Sequence, residues 1–392
     1  MHLNKLTHIN VILDKNSTSF CHYVNKAYFQ KGSRLISIER LKQIIQHVKD
    51  LNVHVNFLFG NNRLPLEYEK AIESISHIKI LPIKLMGIYQ EGLWVINQDD
   101  FSFIDKMDSD NSRYLILCLK KEDLKKLSGI VNGLSGKYTK LIVAILNIDS
   151  YSEFDLNAYE EQLEKVKDTL AASYKNGDSM EINIISDRLL LNQMYNCNAG
   201  IDHVTFAPNG KFYLCPGFYY DDKKNSIGTI KNGLEIKNAE LLELNHAPIC
   251  SLCDAYQCKR CFYLNKKITL DINIPSHEQC VISHLERNIS RKLLGELKPS
   301  IKSFKQFNNI PYIPYLDPFE ILKDNMTIED LKSFRIKNKL KPLEPLSFDR
   351  ININAPKKKD LVDNKMNERD MLEKIYETQT EILKILKYMR GV

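Results

Sequence analysis

The sequence predicts an α/β chain followed by a small cysteine-rich module and a helical C-terminal extension. Three observations carry that reading. Apolar runs of strand length alternate with helical patterns from residue 9 to residue 186. Seven of the nine cysteines fall between residues 197 and 280. The end of the chain repeats apolar side chains at alternating three- and four-residue steps.

Each element has a local reason. Ile9-Asn10-Val11-Ile12-Leu13 is a short apolar run and reads as a first strand. Ser37 is a good N-cap, because its hydroxyl accepts a backbone N–H that the first helical turn leaves unsatisfied. Leu41, Ile44, Ile45 and Val48 then share one helix face. Residues 53–59 read as a second strand, 67–74 as a short helix and 78–83 as a third strand, with 93–96 as part of a small hairpin. Residues 114–119 form a fourth strand with a helix over 122–134 behind it, and 141–148 a fifth. A helix over 157–174 turns Leu163, Val166 and Leu170 inward, and 182–185 is the sixth strand. Six strands alternating with helices imply parallel βα units, whose right-handed crossovers lead to a doubly wound sheet or a partial barrel. Either one places ligands at the carboxyl ends of the strands.

The pattern changes after residue 195. Residues 204–207 and 212–215 flank Pro208-Asn209-Gly210, a hairpin signal because Asn-Gly tolerates the positive φ angles of a tight turn. The run from Cys250 to Cys261 leaves little room for regular structure, and a helix over 281–297 follows. Residues 298–360 are punctuated by proline and read as an irregular linker. In 361–392, Leu372, Ile375, Gln379, Ile382, Leu386 and Met389 form a heptad seam on an amphipathic helix. That helix either packs on its own chain or serves a dimer or a docking partner. The expected domains are therefore 1–195, 196–297, 298–360 and 361–392.

Composition narrows the function classes. With 392 residues the chain exceeds one ordinary core. Its 43% apolar and 27% charged residues exclude chain-wide disorder, collagen repeats and a membrane bundle. No secretory signal stands at the start, and no apolar run approaches the roughly 20 residues of a membrane span, so a cytoplasmic location without a membrane partner is expected. The 55 Lys and Arg are scattered among 49 Asp and Glu, for a net charge of +6. No basic stripe with interleaved aromatics occurs, so no nucleic-acid partner is expected.

In the cytoplasm thiols stay reduced, and dense cysteines serve metals more often than disulfides. Cys250-x2-Cys253-x4-Cys258-x2-Cys261 holds two close pairs. Thiolates two residues apart can grip a metal from a tight turn, and four complete a tetrahedral zinc site. The same spacing suits a cluster in which each of four irons takes one thiolate. Spacing alone does not choose between them. Cys118 lies inside the apolar strand 115–119 and reads as core packing.

Cys197, twelve residues, Gly210, four residues, Cys215, then the double pair and finally Cys280 closely resemble the SPASM domain of radical SAM peptide- and protein-maturing enzymes. Ile227-Gly228-Thr229-Ile230 resembles the strand that follows that domain's first hairpin. The spacers within the double pair are four and two, where the family has five and three. The resemblance implies one or two [4Fe–4S] clusters, with zinc as the alternative. Cys250, Cys253, Cys258 and Cys280 would hold one cluster, and Cys197, Cys215 and Cys261 the other. His203, six residues after Cys197, is the candidate for the remaining fourth position. Over residues 1–195 the resemblance implies a partial (β/α)6 barrel of the radical SAM type.

Radical SAM enzymes carry C-x3-C-x2-C after the first barrel strand, where three thiolates leave one iron free for S-adenosylmethionine. Here Cys21 stands at the first position, and Asn25 and Tyr28 at the other two. The family's Gly-Gly-Glu-Pro motif is replaced by Gly60-Asn61-Asn62-Arg63. S-adenosylmethionine is therefore not expected as a cofactor. The combination looks like the CXXX repeat peptide maturase family, which implies a ribosomally made, cysteine-rich precursor peptide as the partner. Three readings follow: peptide maturation with SPASM-type clusters; a non-enzymatic peptide-binding scaffold with structural zinc, slightly favoured by the tight spacers; or S-adenosylmethionine held without a cluster, which no Gly-rich loop supports. No catalytic residue is assigned, and Cys21 is either a site residue at the strand ends or an inert thiol.

Overall fold

His8–Ile12, the first strand (β1), is buried along all but its first residue, as a strand covered on both faces must be. In the computed structural model, which describes residues 6–29, 32, 34–106, 114–177, 180–194, 197–247 and 249–297, it joins one eleven-stranded sheet. The other strands are β2 (His54–Leu58), β3 (His77–Pro82), β4 (Leu93–Ile96), β5 (Tyr114–Leu119), β6 (Lys140–Ile145), β7 (Glu181–Ile182), β8 (His203–Phe206), β9 (Lys211–Tyr213), β10 (Gly228–Thr229) and β11 (Gly233–Leu234). Their spatial order is β11-β10-β9-β8-β1-β2-β3-β4-β5-β6-β7. Every neighbouring pair from β8 to β7 is parallel. From β1 to β7 spatial order and chain order coincide. After β7 the chain returns to the other side of β1, where β8 pairs with it in parallel. Right-handed crossovers that all advance one way lay their helices on one face.

The helices follow from patterning and caps. In α1 (Ile38–Leu51), Ser37 Oγ accepts the Arg40 N–H, and Leu41, Ile44, Ile45 and Val48 are the buried residues. Next come α2 (Leu66–Ile72), α3 (Leu127–Leu134) and α4 (Glu153–Lys175). A capping box between Ser152 and Asp155 opens α4, which buries Leu163, Val166 and Leu170. Then follow α5 (Asp187–Leu190), α6 (Pro216–Asp221), α7 (Phe262–Thr269) and α8 (His277–Leu297). Helices α4 and α8 are joined by Tyr159 Oη donating to Glu286 Oε1 at 2.9 Å and by a Lys167–Glu296 ion pair.

Several expectations are corrected. Residues 93–96 are no hairpin: they form the full parallel strand β4 between β3 and β5. Trp94, Val95 and Ile96 are all buried, and a strand flanked on both edges is what encloses them. The sixth expected strand shrinks to Glu181–Ile182. There the Asn183 side chain takes over the pairing, accepting from Val143 N–H at 2.8 Å and donating to Val143 O at 3.1 Å. The expected helix over 122–134 divides into a 3-10 segment, Lys121–Lys126, and α3. Helix α8 starts at His277, which brings Cys280 into its first turn.

The hairpin after residue 195 turns at Gly210, whose φ is +80°. Its first strand, β8, lies directly beside β1, so the hairpin continues the main sheet. Contacts divide the chain into Met1–Ile310 and Pro311–Val392. Residues 298–360 and the heptad helix of 361–392 lie outside the described residues. Among those described, no helix is long and apolar enough to cross a membrane.

Candidate metal centre

The chain after β1 crosses the carboxyl ends of several strands. Thr18 N–H donates to Phe59 O, just past β2, and Asn97 Nδ2, just past β4, donates to Thr18 Oγ1 at 2.9 Å. Cys118 Sγ, near the end of β5, donates to Ser19 O at 3.2 Å, and His22 Nδ1 is 2.8 Å from Ile145 O at the end of β6. Asn25 closes the loop from inside. Its Nδ2 donates to Lys15 O and Ser17 O at 2.9 and 2.8 Å, its Oδ1 accepts from Ala27 N–H, and its own N–H donates to Ser19 Oγ. Tyr28 is buried, and its carbonyl accepts from Asn61 Nδ2. The three residues at the expected triad positions therefore differ in role. Asn25 and Tyr28 belong to the loop's polar framework, while Cys21 keeps a half-buried free thiol.

A first set of thiols gathers beneath this loop. Cys215 is the N-cap of α6 and Cys261 the N-cap of α7. The two helices are pinned by Phe218, whose ring meets Tyr263 edge-on at 5.8 Å. Gly217 packs so closely that a Cβ there would lie 2.7 Å from the Tyr263 ring, so only glycine fits. Cys197 is tied to the same segment, its N–H donating to Lys259 O at 2.8 Å. Burial pushes the Cys215 and Cys261 thiols well above their usual range, and in each case the neighbouring Cys197 raises them further. Burial likewise lifts Cys21 to about 11, against the pull of the Lys259 ammonium, with Cys197 adding to the rise.

Cys197 is the exception. Burial alone would raise its thiol, but a hydrogen bond with His203 and that residue's charge hold it below the usual value. His203 Nδ1 is in turn 2.8 Å from Asp202 Oδ1, and its ring stacks on His8 at 4.6 Å. Burial opposes the imidazolium, yet the bonds to Asp202 and Cys197 outweigh it and lift His203 to about 9. Asp202, His203 and Cys197 thus form one hydrogen-bonded chain.

A second set lies in the irregular run after residue 249. Cys250, Cys253 and Cys258 pack with Met194, Ala247 and Tyr256. Burial raises Cys250 to about 12 and Cys258 to about 11. Backbone N–H groups of Ala255 and Arg260 point at the Cys253 and Cys258 sulfurs, each at 3.4 Å. The run is anchored by Asp254, which is fully buried and ion-paired to Arg188 at 2.9 Å, to Arg287 at 3.4 Å and to Arg291. Arg260 folds back on the carbonyls of Glu243 and Leu242 and on Asn273 Oδ1. Cys280 sits on α8 one turn before His284, whose Nε2 is 3.5 Å from Cys253 Sγ. His284 is a candidate donor that spacing arguments passed over, although Cys280-x3-His284 is helical spacing and could have exposed it.

None of the nine cysteines is in a disulfide. Among the described residues, no three His, Cys, Asp or Glu side chains converge closely enough to hold a single metal ion. An iron–sulfur cluster makes a different demand, because each thiolate binds its own iron and the donors surround the group. Soft thiols gathered in two sets, with backbone N–H groups turned toward their sulfurs, fit such a cluster. Cys21, His22, Cys258, Lys259, Arg260, Cys261 and Glu286 also line one common cavity.

No family model and no curated protein matches the chain. Among solved structures, it is similar to anSMEcpe with bound AdoMet and Kp18Cys peptide, at 12% identity and a TM-score of 0.45, covering 76% of this chain and 98% of that one. It is similar to Streptococcus suis SuiB bound to precursor peptide SuiA, at 11% identity and a TM-score of 0.35, covering 69% and 75%. A third is BtrN in complex with AdoMet and 2-DOIA, at 12% identity and a TM-score of 0.26, covering 64% and 92%.

Proposed function

We propose that this chain is a peptide-maturation protein that holds iron–sulfur clusters in a SPASM-like module at the mouth of a partial (β/α)6 barrel. The carrying observation is that Cys197, Cys215 and Cys261 collect beneath the loop that crosses the strand ends, where parallel α/β sheets receive ligands. The grouping implied by the family resemblance, Cys250, Cys253, Cys258 and Cys280 on one cluster and Cys197, Cys215 and Cys261 on the other, is kept. The substrate is a cysteine-rich precursor peptide, supported by the likeness of the sequence to CXXX repeat peptide maturases.

Bound clusters would supply electron transfer to this site. The chain's own residues do the rest. His203 holds the Cys197 thiol below its usual value, and Lys259, which lines one cavity with Cys21, opposes the rise of that thiol. Cleavage of S-adenosylmethionine is not part of the reading, because the family resemblance puts Asn25 and Tyr28 where radical SAM enzymes have their second and third cysteines. The zinc-scaffold alternative would use the same cysteines as four tetrahedral ligands.

Anaerobic purification followed by iron, sulfide and zinc analysis tests the proposal. The expected result is brown protein with iron and sulfide in equal amounts and micromolar binding of a synthetic cysteine-repeat peptide. Colourless protein with stoichiometric zinc would overturn it.

A further inference from the structure

We infer that Cys21 completes the thiolate set of Cys197, Cys215 and Cys261, so that the loop after β1 supplies the fourth ligand of a cluster otherwise held by the cysteine module. The inference deepens the proposed function and rests on it.

Four observations carry it. The loop is fastened on both sides of Cys21: Ser19 O accepts from Cys118 Sγ at 3.2 Å before it, and after it His22 Nδ1 lies 2.8 Å from Ile145 O and the Tyr23 ring stacks on Tyr220 at 5.6 Å. Ser17 Oγ adds a hydrogen bond to Tyr220 Oη at 2.7 Å. Tyr220 belongs to α6, the helix that Cys215 caps, so the two thiols are carried on one packed unit. Cys21 and Cys261 line the same cavity. Cys197 joins them through its N–H, which donates at 2.8 Å to the carbonyl of Lys259, two residues before Cys261.

His203, the other candidate for the fourth position, is engaged differently. One ring nitrogen meets Asp202, its ring stacks on His8, and it hydrogen-bonds to the ligand Cys197. That geometry suits a group that tunes a thiolate ligand. A cluster with four thiolates has no open iron, so this centre carries electrons or fixes structure and does not bind a substrate thiol. It also ties the barrel loop to the module, so the loop keeps one thiol where a triad is expected.

The test compares anaerobically purified full-length wild type, Cys21→Ala and His203→Ala. Iron and sulfide per chain are measured with the EPR spectrum after reduction. Expected is a fall of about half in Cys21→Ala, leaving one cluster's signal, and a wild-type content in His203→Ala. Undiminished iron in Cys21→Ala, or a halving in His203→Ala alone, overturns the inference. A wild-type protein without iron overturns the underlying reading instead, and so is distinguishable.

Alkylation mapping on the native wild type covers a variant that fails to fold. Cys21 should stay unlabelled until the iron is chelated and then react while core Cys118 remains protected. Equal labelling of Cys21 before and after chelation overturns the inference.

Discussion

The loop after β1 and the run from Cys250 to Cys261 are both irregular chain, yet they are held by opposite means. Asn25 organises the first with four short-range hydrogen bonds to Lys15, Ser17, Ser19 and Ala27. The second has thiols turned inward, N–H groups on its sulfurs, and a buried carboxylate ringed by arginines. An amide can satisfy backbone groups within its own loop, so part of the first region's framework is local, beside its bonds to Phe59, Asn97, Cys118 and Ile145. Thiols make only weak hydrogen bonds, so the second relies on the Asp254 network and is suited to a bound group that joins its sulfurs.

Breaking the Asp254 network should have the largest effect. Asp254→Ala removes the buried carboxylate that pairs with buried Arg188 and Arg287, a loss of about 3–5 kcal/mol in chemical denaturation. A loss below about 1 kcal/mol would mean the network does not anchor the module. Asn25→Ala should come next, at about 2–3 kcal/mol, because it strands two carbonyls and an N–H. Its iron and sulfide content should match wild type, which separates the hydrogen-bonded loop from the thiol-bearing module.

Two further effects depend on pH. Burial raises the Glu286 carboxyl from 4.5 to about 8, against hydrogen bonds from Tyr159 and Gln257. The folded state therefore holds its proton more tightly than the unfolded state, and stability falls as pH rises from about 4.5 to about 8. Glu286→Gln should flatten that slope in melts across the range while leaving the acid limb unchanged. His203 is also raised, from 6.5 to about 9. Its contribution is complete below pH 6.5 and lost as pH climbs through about 9. His203→Gln should remove this alkaline loss and slow alkylation of Cys197 in metal-free protein, since the group that lowers its thiol is gone.

Much of the sheet was legible because periodicity reports burial directly. Ser37 and the α1 face, the burial of Leu163, Val166 and Leu170, and the Asn209-Gly210 turn all depend on neighbours within a few residues. The misreadings arose where a distant partner decides. Four apolar residues at 93–96 become a strand only because β3 and β5 flank them, and Asn183 ends β7 through Val143, far off in the chain.

The cysteines divide the same way. Spacing by itself established a dense run of thiols, because cysteines with two residues between them share a turn. Only the tertiary structure decided that the hairpin after residue 195 continues the main sheet through the β1–β8 pairing, that His284 reaches Cys253, and that Cys21 shares surroundings with Cys197, Cys215 and Cys261. Those meetings depend on how β1, α6 and α7 pack, and no local pattern encodes a contact between segments so far apart in the chain.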